Sequence, residues 1–575
     1  MSPDFVCGVG NVRPADLEAG SGPLYGRTCD QMLRIRISRQ IALSRHHFCP
    51  NCALSSVPAL RSGKMVCMDA SLPPLIRALL SPERYPRGVA QVELVQTHIS
   101  WVLLAGDFAY KVKKPMALQF LDFSTLALRQ RYCEDELRLN RRFAPDLYLD
   151  VVGIFNTPED PQWCGDGAPI EYAVKMRRFD EGGRLDRVCA RGELQPTHLS
   201  NLAETLVAFH AAAASAPPES RFGSASSIIG PARDNFRDLL HAFRGAAVQT
   251  RLEALRIWTE AQFAHLASLM AMRKQAGRVR ECHGDLHLAN LVLINQRVQM
   301  FDCLEFNEDL RWIDVANEMA FTYVDLLAHQ QAGLANWFVN EVLGHSGDYE
   351  AARVLRFYAV YRALVLAKVA AIRAGQSQGD NHEALAYIAL AEKLLAVPPL
   401  QLLITHGLSG CGKTVASNAI LQNDANAATL RLRSDVERKR LFGLAGTAHS
   451  GSGLDTGIYT PQAHTRTYAH LRELAAGLLN SGWSVVVDAA FLQRAERESF
   501  RSLARDAGAA FSILAPHATP DQLRQRIAAR QAQGRDASEA TLDVLAQQMK
   551  TLQPLSHDEP VWPEMALAQS SSAST

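Results

Sequence analysis

Leu400-Gln-Leu-Leu-Ile-Thr-His406, followed at once by Gly407-Leu-Ser-Gly-Cys-Gly-Lys413-Thr414, decides the fold of the last third of the chain. The first stretch reads as a buried strand, the second satisfies GxxxxGK followed by Ser or Thr, and a helical pattern comes next. Strand, glycine loop and helix therefore stand in the order that phosphate binding requires. The N–H groups from Gly407 through Ser409, Gly410, Cys411 and Gly412 then curl around phosphates, and the helix aims its positive end at them. Lys413 is placed to reach the β- and γ-phosphates of ATP, and the Thr414 hydroxyl to hold Mg²⁺.

Working outward, strands and helices alternate, as in SVVVDAAF (484–491), which predicts an α/β domain with a parallel sheet over 400–560. Asp488 ends the strand SVVVD, where an acid holds the metal's water shell. Asp435 follows the strand TLRLRS and opens a helix with Arg438 and Arg440, so it stands where a base for an acceptor hydroxyl would stand; N-capping alone also places an Asp there. Arg526 and Arg530 lie one helical turn apart and read either as cations closing on a transferring phosphoryl group or as a plain surface pair. Val397-Pro398-Pro399 marks the boundary upstream, and residues 561–575 read as a disordered tail.

A second constellation is His283-Gly-Asp285-Leu-His287-Leu-Ala-Asn290. It keeps the spacing of the protein-kinase HRDLxxxN loop, with Gly in place of Arg. Asp285 takes the place of the group that receives the acceptor's proton and Asn290 that of a metal ligand. Asp302, in MFDCLEF twelve residues later, takes the place of the second metal ligand. Glu305 adds a carboxylate nearby. Of the other histidines, His210 in LAETLVAFHAAAA reads as a satisfied core residue and His283 as a loop organiser, while His287 fits either role.

Around that loop, VELVQTHISWVLL (92–104) and DFAYKVKKP (107–115) read as strands separated by the turn Ala105-Gly106-Asp107. A charged helix and two more strands follow, and helices dominate after Asp180. This predicts an α+β arrangement, with one lobe over 68–178 and a helical lobe over 179–396. Residues 1–67 hold five of the 11 cysteines and little periodicity; they read as a poorly ordered extension, with Met65 or Met68 as alternative starts. HHxCPNC (46–52) matches no standard zinc spacing.

The 575 residues suffice for about three domains. Lys plus Arg total 60 against 59 Asp plus Glu, so no basic excess points to nucleic acid. No apolar run approaches the roughly 20 residues of a membrane span, and no basic-then-apolar leader opens the chain; the expected location is cytoplasmic, with thiols rather than disulfides.

Residues 85–390 resemble the aminoglycoside phosphotransferase and choline kinase family, whose loop reads HGDxHxxN; the fold implied is protein-kinase-like. The resemblance gives Lys111 of AYKVKKP the place of the strand lysine on the nucleotide phosphates, with Lys113 on the same face as the alternative. Glu136 of CEDELRLNR becomes its helix partner, with Glu134 close by, and Asp314 of WIDVANEMAF a structural acid beneath the loop. A GxGxxG loop is missing and DCLEF replaces DFG. Residues 400–555 resemble P-loop small-molecule kinases of the gluconate kinase, adenylate kinase and zeta-toxin type. The tandem resembles bacterial fusions of a phosphotransferase-like domain with an AAA-family P-loop ATPase or kinase. It implies an ATP- and Mg²⁺-dependent phosphotransferase with two nucleotide sites and a small-molecule hydroxyl acceptor. The alternative is a regulatory ATPase whose kinase-like part is a non-catalytic sensor. Phosphorylation of polynucleotide ends is a third reading, against which the neutral charge and lack of interleaved aromatic and basic residues count. Oligomeric state is not legible.

Overall fold

Alternation in one half of the chain and continuous apolar runs in the other build two sheets of different kinds. The computed structural model describes residues 72–563, apart from residues 87, 119–120, 378, 447, 453–455 and 534–537. The expected 1–67 extension with HHxCPNC and residues 564–575 of the expected tail lie outside the described residues.

The first sheet is antiparallel: β1 (Val92–Gln96), β2 (Ser100–Ala105), β3 (Phe108–Lys113), β4 (Tyr148–Asn156), β5 (Pro161–Gln162) and β6 (Glu171–Arg177) run in the order β1-β2-β3-β6-β4-β5. The expected single strand over 92–104 is in fact two. The Thr97 hydroxyl accepts the Ser100 N–H at 2.9 Å, a local turn that competes with the ladder. Helix α1 (Leu126–Asn140) is capped by Thr125 and lies on one face. Period-two alternation sends Tyr110 and Val112 into a core with Leu72, Ile76 and Trp101, and sends Ala109, Lys111 and Lys113 toward α1.

The following lobe is mostly helical and includes α2 (Pro196–Ala212). Strands β7 (Val279–Glu281), β8 (Leu291–Ile294), β9 (Arg297–Met300) and β10 (Trp312–Asp314) form two small antiparallel pairs, β7 with β10 and β8 with β9, that bracket residues 282–290. Helix α3 (Val315–Ala328) runs beneath that segment, and α4 (Ala332–Ser346) returns beside it.

Beyond Pro399 the sheet is parallel: β11 (Gln401–Thr405), β12 (Thr429–Arg433), β13 (Ser484–Asp488) and β14 (Ala510–Leu514) in the order β12-β13-β11-β14. All five residues of β13 are buried, as a strand covered on both faces requires. The glycine loop opens α5 (Lys413–Gln422), Asp435 lies on α6 (Ser434–Leu441), and α7 (Pro520–Gln533) and α8 (Leu542–Thr551) close the loop's far side. Val561 and Trp562, expected in the tail, instead reach β14, where the Trp562 N–H donates to the Ile513 carbonyl at 2.8 Å.

The two regions pack as one body rather than as beads on the 397–399 linker. Helix α4 covers β12, the sheet's edge strand. The Asn340 carboxamide takes both edge groups, donating to Thr429 O at 2.9 Å and accepting from Arg431 N at 2.6 Å, as a neighbouring strand would. At its other end α4 meets the last turn of α5. Asn336 donates to Leu421 O at 3.1 Å, and a Cβ added at Gly333 would stand 1.8 Å from Gln422 O. Only glycine permits that approach. Gly333→Ala is therefore expected to part the two regions, and Asn340→Ala to cost about 2–4 kcal/mol by orphaning two edge groups. In calorimetry each variant should split one unfolding transition into two, and proteolysis should cut near residues 396–400 sooner.

Candidate active sites

Lys111 and Lys113 share one face of β3, and Glu136 reaches both from α1. Lys111 Nζ donates to Glu136 Oε1 at 2.8 Å and to Asp302 Oδ1 at 2.5 Å. Lys113 Nζ donates to Glu136 Oε2 at 2.8 Å and pairs with Glu305. Of the two lysines, Lys111 faces Asp302 at the cleft, while Lys113 is fully buried under the Phe123 ring. Glu305, expected near the metal ligands, turns inward to Lys113. Glu134 points outward and pairs with Gln130. Burial alone would raise the Glu136 carboxyl, but the two ammonium groups hold it down at about 2.

Across the cleft, residues 282–290 are held by α3. Glu318 accepts the His283 N–H at 2.5 Å and the Gly284 N–H at 2.9 Å; Thr322 donates to Leu286 O at 2.7 Å; Asp325 accepts the Leu288 N–H at 2.7 Å. The sequence reading missed Glu318 and Asp325, whose spacing with Thr322 (i, i+4, i+7) marks one helical face. Asp314, expected beneath the loop, is structural in another way: it pairs with buried Arg273 and caps α3.

Within the loop, Asn290 Nδ2 donates to Asp285 Oδ2 and to its carbonyl, both at 2.9 Å. Asn290 Oδ1 and Asp302 Oδ2 remain as hard oxygen donors of the kind Mg²⁺ takes. Asp302 sits at φ +61°, a strained angle for a non-glycine residue, with its N–H held by the Tyr148 hydroxyl at 2.9 Å. His283 is an organiser, its ring against Phe301 O at 2.8 Å. His287 lies 3.4 Å from Asp285 Oδ2. Desolvation would raise the Asp285 carboxyl, but His287, His283 and Arg362 outweigh it and hold it at about 2. The carboxylate is 38% exposed, open to a ligand in the cleft.

The second site gathers at the C-terminal ends of β11 and β13. Gly407, Gly410 and Gly412 adopt φ of 136°, 87° and 104°, and a Cβ at Gly407 would sit 2.8 Å from Cys411 Sγ, so the cradle needs these glycines. Lys413 Nζ donates to Gly407 O at 2.9 Å and Leu408 O at 2.8 Å. The Thr414 hydroxyl donates to Asp488 Oδ2 at 2.8 Å, because β13 neighbours β11 directly. Arg526 reaches the loop, 3.1 Å from Gly410 O, whereas Arg530 turns to Ala540 O at 3.3 Å. Asp435 is half-buried on the first turn of α6, and its carboxylate takes no hydrogen bond from the described residues. Gln548 of α8, which the motif gives no hint of, accepts the Ser409 N–H at 2.8 Å.

Residues 120–355 match the model of the phosphotransferase enzyme family, and residues 402–555 match that of the AAA domain. The chain is 28% identical over 456 residues to a Mycobacterium tuberculosis protein named only as uncharacterized, covering 79% of this chain and 89% of that one. Among solved structures it is similar to a choline/ethanolamine kinase family protein from Mesorhizobium loti (12% identity, TM-score 0.35, 54% of this chain and 90% of that one). It is also similar to a gluconokinase from Sinorhizobium meliloti 1021 (20% identity, TM-score 0.21, 30% and 95%). The chain joins a kinase-like phosphotransferase domain to a P-loop domain, and it is an ATP-dependent, kinase-like enzyme. No helix among the described residues is long and apolar enough to cross a membrane.

Asp325, which holds the Leu288 N–H, also pairs with His329. Burial lowers that imidazole's basicity, but hydrogen bonding to Asp325 and its charge dominate and raise it from 6.5 to about 9. A group more basic when folded stabilises fully below pH 6.5, and the contribution is lost as pH rises through about 9. That displacement corresponds to on the order of 3 kcal/mol at most. Urea titrations between pH 6 and 9.5 should show wild type losing stability across this window, with a flatter profile in His329→Gln.

Proposed function

We propose that this enzyme, a phosphotransferase-family domain fused to an AAA-type P-loop domain, transfers the γ-phosphoryl group of ATP to hydroxyl groups of small molecules at two separate sites. The observation that carries the reading is the convergence at the first cleft. Lys111, braced by Glu136, reaches Asp302 on one side, and Asn290 fixes Asp285 on the other. Five residues from four distant segments meet there in the roles that phosphoryl transfer requires.

Lys111 would leave Asp302 for the nucleotide phosphates, and Asn290 with Asp302 would hold Mg²⁺, which when bound neutralises charge on the transferring group. Asp285 orients the acceptor hydroxyl. As the new O–P bond forms and the bond to the departing ADP breaks, the hydroxyl proton passes to the carboxylate. A carboxyl held at about 2 is a weak base, so orientation outweighs early deprotonation, in keeping with a loose transition state. At the second site Thr414 and Asp488 would hold the metal, Lys413 and Arg526 the phosphates, and Asp435 the acceptor. Arg530, turned toward Ala540, needs a movement to join them. Nucleic acid is not an expected substrate, since the charge is balanced.

One observation favours the second reading, a regulatory ATPase. Helix α3 holds the 283–290 loop and also reaches the P-loop region, with the Tyr323 hydroxyl donating to Ala427 O at 3.0 Å. The nucleotide state of one region therefore has a mechanical route to the other.

Transfer from γ-labelled ATP into a pooled metabolite extract separates the readings. The bifunctional kinase predicts that Asp285→Ala and Lys413→Ala each abolish a different labelled product, with losses of at least about 100-fold. Label released only as free phosphate, unchanged by Asp285→Ala, would instead establish the ATPase.

A further inference from the structure

His210 of α2 was expected to be a satisfied core residue. It is buried, at 8% exposure, but its Nε2 has no hydrogen-bond partner. Burial, with the Arg280 cation, holds the ring near 3 and therefore neutral, so one ring nitrogen carries a lone pair. The ring sits in a group of three. A nitrogen of His210, Cys282 Sγ and a carboxylate oxygen of Glu318 all lie within 4.8 Å of one another, and all three residues are buried. The surroundings do not explain the trio as a closed hydrogen-bond set. The Cys282 thiol donates to Ile313 O at 3.5 Å and Glu318 receives two backbone N–H groups, but neither of them partners His210.

We propose that His210, Cys282 and Glu318 form a structural zinc site beneath the 283–290 loop, separate from both phosphoryl-transfer centres. The donor set is the argument. Thiolate, imidazole and carboxylate together suit Zn²⁺ and are a poor match for Mg²⁺ or Ca²⁺, which take oxygen alone. Charge closes within the ligand set as well: a dication with one thiolate and one carboxylate is neutral. Ligand atoms about 2.0–2.3 Å from a tetrahedral centre stand roughly 3.3–3.8 Å apart, so a trio lying within 4.8 Å needs to contract by no more than about 1.5 Å around the ion. The Ile313 carbonyl, already beside Cys282, is the nearest candidate for a fourth ligand.

The three donors come from α2, from the segment after β7 and from α3, the elements that converge under the loop. Glu318 holds the His283 and Gly284 N–H groups, so the ion would fix the carboxylate on which Asp285's position rests. Its role is positional, as an outer ligand's is for a metal's inner ones.

The test counts metal. The full chain carries Cys49→Ser and Cys52→Ser, to remove the N-terminal thiol pair, and is purified without chelator and analysed for bound metals. Roughly one zinc per chain is expected, falling to below a tenth in Cys282→Ala and in His210→Gln. Replacement by Co²⁺ should give a thiolate-to-cobalt charge-transfer band in the near-ultraviolet that is absent from Cys282→Ala. Circular dichroism checks that each variant folds, and the cobalt band of the parent chain stands whether or not it does. Folded parent protein with no zinc and no cobalt band overturns the site. So does zinc retained equally by both variants.

Discussion

Two backbone N–H groups end on one carboxylate: those of His283 and Gly284 on Glu318. The first cleft depends on that interaction. Residues 282–290 have no regular structure before the single turn at 288–290, and the N–H groups of His283, Gly284 and Leu288, which lack helix or ladder partners, end on side chains instead. Helix α3 supplies Glu318, Thr322 and Asp325 on one face. Desolvation raises the Glu318 carboxyl, and the two N–H groups oppose the rise only in part. The loop and the helix therefore fix each other: without the loop's donors the carboxylate would be an unpaired charge, and without the carboxylate Asp285 would have no defined place.

On the opposite wall, four charges are packed into β3, α1 and the segment after β9. Lys111, Lys113, Glu136 and Glu305 are nearly inaccessible to water, so each ion has lost most of its hydration. Pairs of that kind rarely add net stability over an apolar core, yet removing one partner is costly because the other is left buried and bare. The arrangement makes sense as positioning. Glu136 is clamped by two ammonium groups, and Lys113, itself tied to Glu305, stops Glu136 from following Lys111. Lys111 is thus the member of the network with a partner at the open cleft, Asp302, whose side chain is 39% exposed.

Legibility in the sequence tracked how local each constraint is. The 407–414 loop, its flanking strand and helix, and the spacing of Asp285, Asn290 and Asp302 were readable because adjacent residues impose them. Lys111 and Lys113 were not separable, since residues two apart on a strand share a face and only the approach of Asp302 distinguishes them. Asp314 was read in place of Glu318 for a similar reason: both acids begin α3, and the tertiary approach of the loop decides which carboxylate it meets. Arg526 and Arg530 share a helical face, yet the chain after α7 draws one away from the loop. Asn340 and Gly333 were silent, because what they touch lies some 90 positions away in another region.

That junction bears on how the two sites relate. Phosphates sit at the N-terminus of a helix such as α5, whereas the C-terminus of α5 is where α4 presses, backbone to backbone at Gly333. A contact without side chains has little room to absorb displacement, since close-packed backbone yields less than a flexible side chain. Two bends flank it at positive φ without glycine: Gln330 at 61°, between α3 and α4, and Ala427 at 50°, between α5 and β12. Such angles cost of order 1–3 kcal/mol each and persist only where the surroundings over-determine them. Tyr323 supplies part of that determination by holding Ala427 O from α3, the helix that carries Glu318. The strained bends, the stiff contact and the Tyr323 bond thus brace one another at a single junction. The helix that carries Glu318, and with it the 283–284 backbone, is therefore also the one that meets the segment between α5 and β12.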